Sequence, residues 1–285
     1  MITGIILVVL ALLVLIIATY TDFKTGEIPD WLSCGFIISA LGIRVLHSII
    51  YSAWLYTLYG IMGFAAMYVF GILIYYSRQW GGGDAKIAMG LGAAFATPPF
   101  AYFGNFPYLL ALTANIFIAG GIYGMLWSIY VFIRRFKKAI KAVKEEVISR
   151  MGIYIFGIAL VVTALIIALF SSGLTAIMMF YASIVIFAYF LLFMFIKGAE
   201  KAGMYEKVPV SKLTEGDWAA EEIKHKEKII CSKKDCGLTL EQIAALKKAK
   251  VKTVLVKRGI KFLLAILAGT VITLIYGNMI IFALF

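Results

Sequence analysis

Four carboxylates stand apart from the others in this chain. Of its 15 Asp and Glu residues, eleven fall in two long polar stretches, leaving Asp22, Glu27, Asp30 and Asp84. Asp22 closes an uncharged run from Ile2 to Thr21, and Asp84 opens another apolar run behind three glycines, Gly81 to Gly83. Carboxylates at the ends of apolar segments are costly and tend to serve function. Two brought together can share one proton, so that one activates a water molecule while the other protonates the group being split, as in an aspartic protease. Glu27 and Asp30 read equally well as solvated interfacial side chains. The glycines permit positive φ and remove side chains beside the aspartate, so that an extended chain could approach Asp84 closely. A phosphate-binding loop is disfavoured, because Asp84 would repel the anion and no GxxxxGK[ST] pattern follows.

The elements that must position these residues are apolar helices. Hydrophobic residues make up 63% of the 285, and mean hydropathy is +0.97. The excess is arranged in runs near the ~20 residues that cross a bilayer. Eight spans are predicted, near 2–21, 31–50, 55–77, 84–103, 107–133, 152–170, 174–196 and 260–283. The first does not resemble a cleavable signal peptide, since no basic residue precedes it. The expected fold is an all-α polytopic membrane protein carrying a small α/β lobe.

Charge orients the spans. Seven of the 27 Lys and Arg residues lie in Arg134–Arg150 and sixteen in Lys197–Lys261, whereas the breaks near 51–52, 104–107 and 171–173 carry none. This positive-inside distribution places both basic stretches in the cytoplasm and both termini outside, and it argues against nucleic acid as the partner of a +12 chain. Asp22 and Asp84 then emerge together at the cytoplasmic face of the plasma membrane. Arg134–Arg150 is expected to lie as a basic helix against anionic lipid headgroups. Arg44, toward the outer end of its span with His47 nearby, is expected to snorkel outward.

Four segments follow: a core over 1–135, a basic interfacial segment and helical hairpin over 136–197, a cytoplasmic lobe over 198–259, and a final span over 260–285. Within the lobe, Thr214 is expected to cap a helix. Thr239 with Gln242 forms a capping box ahead of a helix from Leu240, and Val251–Val256 reads as a strand. Cys231 and Cys236 read as solvated thiols; with His225 they lack a fourth ligand and the usual CxxC spacing of a zinc site. No metal and no cofactor is expected.

Gly81-x-Gly83-Asp84 resembles the GxGD motif of membrane aspartyl proteases. Asp22-x-Lys24-x-x-x-Ile28-Pro29-Asp30 and Gly81-x-Gly83-Asp84-x-Lys86 together resemble the two motifs of prepilin and preflagellin (type IV leader) peptidases. The resemblance covers about the first third of the chain. It implies an aspartic endopeptidase that cuts the short basic leader of type IV pilin-like or archaellin precursors. Asp22 and Asp84 would be its catalytic pair and Gly81 and Gly83 its motif glycines. Lys24 and Lys86 match motif positions and are expected to anchor the motifs to lipid phosphate. Bacterial members often carry a cytoplasmic cysteine tetrad and methylate the new N-terminus. This chain has no CxxC pair and no Gly-rich dinucleotide-type fold, so it is expected to lack methyltransferase activity, like the archaeal branch.

Two alternatives use the same aspartates. A presenilin or signal-peptide-peptidase-like protease would pair GxGD with a Pro-Ala-Leu segment, which is missing here. A cation-coupled transporter would place its acids near mid-membrane and not at the ends of spans.

Overall fold

The computed structural model describes residues 2–99, 107–225, 228–232 and 237–277. Among the described residues ten α-helices follow one another: α1 Ile2–Thr25, α2 Asp30–Tyr51, α3 Trp54–Tyr76, α4 Gly82–Phe95, α5 Tyr108–Arg134, α6 Phe136–Ser149, α7 Met151–Phe170, α8 Gly173–Gly203, α9 Leu240–Lys248 and α10 Leu263–Tyr276. Among the described residues six have the length and apolarity of membrane spans: α1, α2, α3, α5, α7 and α8. The protein is therefore a polytopic helical membrane protein.

The fourth and eighth expected spans are shorter than predicted. The helix of the fourth ends at Phe95, because Pro98 and Pro99 cannot continue one. That of the eighth ends at Tyr276, where Gly277 takes φ +67°. Residues 100–106 and 278–285, into which both predictions run, lie outside the described residues.

The chain divides into two compact units, one of residues 1–123 with 259–285 and one of residues 124–258. In the first, the short α4 is enclosed, with ten of its 14 residues buried. Small residues make this possible. A Cβ on Gly92 would lie 2.3 Å from the Gly63 carbonyl oxygen, and one on Gly90 would lie 2.2 Å from Phe36. In lipid, where apolar burial drives helix association weakly, such close approach supplies the packing.

Arg44 overturns the snorkelling expectation. It is fully buried, donating to the Tyr56 carbonyl (2.8 Å), the Ala94 carbonyl (3.0 Å) and Thr97 Oγ1 (3.0 Å), with its guanidinium 4.2 Å from the Tyr56 ring centre. It faces inward because the Ala94 carbonyl, in the last turn of α4, needs a donor that lipid cannot supply.

In the second unit α6 presents Ala139, Ala142 and Glu146 to its interior. Glu146 is bridged by Arg150 (2.9 Å) and Lys201 (2.8 Å). The lobe contains a sheet of order β1–β5–β2, all antiparallel, formed by β1 Tyr205–Pro209, β2 Trp218–Ala219 and β5 Thr253–Lys257. A hairpin pairs β3 Ile223–His225 with β4 Lys228–Cys231. The expected strand over 251–256 is β5. The capping box also forms: Thr239 Oγ1 accepts from the Gln242 N–H, and Gln242 Oε1 accepts from that of Thr239. Thr214 caps no helix; its N–H donates to Asp217 within a turn. Cys231 is buried against the lobe core with Leu246, Val254 and Val256 and is not a solvated thiol, because β4 turns it inward. Cys236 lies outside the described residues.

Candidate active site

Asp22 sits in the last turn of α1. That helix ends where Gly26 adopts φ +78° and returns its N–H to the Asp22 carbonyl at 2.9 Å, the left-handed stop that glycine accommodates without strain. Three residues on, the carbonyl of Pro29 accepts from the Leu32 N–H and α2 begins. The stretch between the helices is therefore short and fixed at both ends, and it carries the rest of the first motif.

Asp84 is the third residue of α4. Its Oδ2 reaches back to accept the N–H of Gly81 at 3.1 Å, satisfying one of the donors that every helix N-terminus leaves open. The side chain is thereby held by backbone, with its second oxygen clear of that bond. The glycines do not use the positive φ that they permit. None of the three has positive φ, and Gly81 is at −71°. Gly83 is required by proximity: a Cβ there would lie 2.6 Å from Ile28 Cδ1 and 2.9 Å from Ile28 Cβ. The glycine of the second motif is the space into which the isoleucine of the first fits.

A second contact joins the motifs. Lys86 Nζ lies 2.6 Å from Asp30 Oδ1, so Lys86 is engaged by a carboxylate and not simply by lipid phosphate. Lys24 is exposed, with Nζ 5.8 Å from the Tyr20 ring centre. These contacts bring the ends of α1 and α3 and the starts of α2 and α4 to one end of the bundle. Asp22 and Asp84 come within electrostatic range of each other. Glu27, beside them in sequence, is exposed and bonds only through its backbone to Thr25.

Three contributors were missed in the sequence. Trp80, just ahead of the glycines, is buried and packs on Phe70, Phe117 and Phe262, holding the root of the loop. Tyr123 of α5 lies within electrostatic range of Asp22. Lys261 donates to the carbonyls of Asp22 (2.5 Å) and Phe23 (2.6 Å). Nothing local marks them: a Trp or a Lys at a span end is ordinarily an interfacial anchor, and Tyr123 lies among apolar residues in the middle of α5.

Residues 9–134 match the model of the type IV leader peptidase family. The chain is also similar to curated preflagellin peptidases of three methanogens. The relative from Methanocaldococcus jannaschii is 28% identical over 141 residues, 47% of this chain and 60% of the relative. The one from Methanococcus voltae is 27% identical over 154 residues, covering 51% and 66%. That from Methanococcus maripaludis is 29% identical over 127 residues, covering 42% and 54%. The chain thus spans about 60% of the length of the first of these relatives. No solved structure gives a significant match. Both aspartates fall inside the matched residues, whereas Lys261 and Phe262, which touch the same region, lie well beyond them.

Proposed function

We propose that the protein is a membrane aspartic endopeptidase that removes the short basic leader from archaellin or type IV pilin-like precursors. Asp22 and Asp84 are its catalytic pair. The observation that carries this reading is the docking of the two motifs, Ile28 against Gly83 and Asp30 on Lys86, which gathers both aspartates at one end of the bundle.

The chemistry follows from two carboxyl groups holding one proton. The ionised member takes a proton from a water molecule as its oxygen attacks the scissile carbonyl carbon. The protonated member gives its proton to the carbonyl oxygen, forming a tetrahedral diol. Collapse of the diol breaks the C–N bond, with a proton delivered to the departing amine, and the pair again holds a single proton. No cofactor takes part. The basic stretches face the cytoplasm and anionic headgroups, so the cut falls at the cytoplasmic face, with the leader in water and the apolar helix of the precursor among the spans. Without a dinucleotide-type fold the enzyme leaves the new N-terminus unmethylated. A transporter would need its carboxylates at mid-span; these sit in the last turn of α1 and the first of α4.

The test is co-expression with preflagellin of Methanococcus voltae and mapping of the new N-terminus by mass spectrometry. Asp22→Asn and Asp84→Asn should each abolish cleavage while membrane levels hold. Asparagine at 84 keeps an oxygen for the Gly81 N–H, so helix entry survives. Near-normal cleavage by either variant would refute the catalytic assignment.

A further inference from the structure

Two residues just ahead of α10, Lys261 and Phe262, reach the turn that carries Asp22 and the tryptophan that precedes the glycines of the second motif. Lys261 lies 239 residues from Asp22, yet its ammonium donates to the carbonyls of Asp22 and Phe23 at 2.5 and 2.6 Å. The same Nζ stands 5.3 Å from the centre of the Phe23 ring and acts electrostatically on the Asp22 carboxylate. Phe262 turns the other way. It packs on Trp80, with ring centres 5.4 Å apart, and lies over Gly120, where a Cβ would come within 2.6 Å of its ring.

The carbonyls concerned explain why a cation belongs there. The last four C=O groups of a helix have no intrahelical partner and carry the negative end of its dipole. In α1 the Asp22 carbonyl already accepts the Gly26 N–H. Phe23 is not served in the same way, because the Glu27 N–H turns instead to Thr25 Oγ1 at 3.3 Å. Lys261 supplies Phe23 with its donor and Asp22 with a second one. Charge-assisted bonds to two successive carbonyls fix the turn that aims the Asp22 side chain.

We propose that Lys261 is a positioning residue of the active site, clamping the carboxyl-terminal turn of α1 so that Asp22 is held toward Asp84, while Phe262 registers the same segment on Trp80 at the root of the second motif. This inference rests on the assignment of Asp22 and Asp84 as the catalytic pair. It goes beyond that assignment in making a segment 239 residues from Asp22 a working part of the site.

The test uses the full-length protein in detergent with Methanococcus voltae preflagellin as substrate. Lys261→Met should lower kcat at least ~10-fold, equivalent to about 1.4 kcal/mol in the barrier, with KM changed less than about twofold, since no substrate contact is removed. Lys261→Arg, which keeps two donors on a long stem, should recover most of kcat. A role in folding alone would not produce that split, because loss of folded enzyme lowers the amount and not the turnover of what remains. Hydrogen exchange reads the clamp without substrate: amides of residues 22–26 should exchange at least ~10-fold faster in Lys261→Met. If Lys261→Met is not recovered from membranes, Lys261→Gln is measured by the same criteria. Unchanged kcat and unchanged exchange would overturn the proposal. Failure of the wild-type protein to cleave preflagellin would instead strike the underlying assignment, and exchange would then decide the clamp alone.

Discussion

Lys86 Nζ stands 2.6 Å from Asp30 Oδ1, tying the first turn of α4 to the first residue of α2. Asp30 is 75% and Lys86 38% exposed, so the bond is largely open to solvent. Exposed pairs of this kind contribute about 0–1 kcal/mol. Asp30→Asn and Lys86→Met should each lower cleavage no more than about fivefold, and the double variant should be no worse than the poorer single one. A complete loss in Asp30→Asn would give that carboxylate a part in the chemistry.

Gly83 should tolerate no side chain. Its Cβ would come 2.6 Å from Ile28 Cδ1 and 2.9 Å from Ile28 Cβ, so the two motifs would have to part. Gly83→Ala is expected to reduce preflagellin cleavage by more than ~10-fold, the scale of misplacing a catalytic group by a fraction of an ångström to one ångström. Ile28→Ala in the same chain should restore part of it by removing the outer carbons. Absence of any such rescue would show that the fit of Ile28 into Gly83 is not what sets the geometry.

Arg44 should be a keystone of the first unit. Arg44→Met leaves the Tyr56 and Ala94 carbonyls without their donor in a buried setting and is expected to cost about 2–4 kcal/mol. Arg44→Lys should also destabilise, because a single ammonium cannot span three acceptors as the guanidinium fork does. Melting temperatures in detergent measure both. A snorkelling arginine would leave Tm unchanged in either variant.

Glu146 offers a contrast in the second unit. It is 3% exposed and forms ion pairs with both Arg150 and Lys201. Glu146→Gln should lower thermal stability, by about 1–3 kcal/mol for a half-open buried pair, with kcat per folded molecule unaltered. A fall in kcat without loss of stability would contradict a purely structural role.

Thiol labelling checks the burial of Cys231. In a Cys236→Ser chain, a maleimide should react with the exposed Cys34 and reach Cys231 only after denaturation. Equal rates in the native protein would place Cys231 outside the lobe core.

The sequence by itself marked the apolar helices and singled out the two carboxylates proposed as the reactive pair. Helical spans are legible because lipid imposes long apolar runs, and Asp22 and Asp84 are legible because charge at the end of such a run needs a reason. The Thr239–Gln242 capping box was equally readable, being local. What tertiary structure alone decided is how residues far apart in the chain share space. That Gly83 receives Ile28, that Arg44 turns inward to the carbonyls of two other helices, and that Lys261 returns across 239 residues to the end of α1 are matters of helix-to-helix approach. Within a membrane these contacts depend on the fit of small residues and on which orphan carbonyl finds which donor. No periodicity along one segment encodes that choice, because the partner belongs to another segment and is fixed only when the helices close on each other.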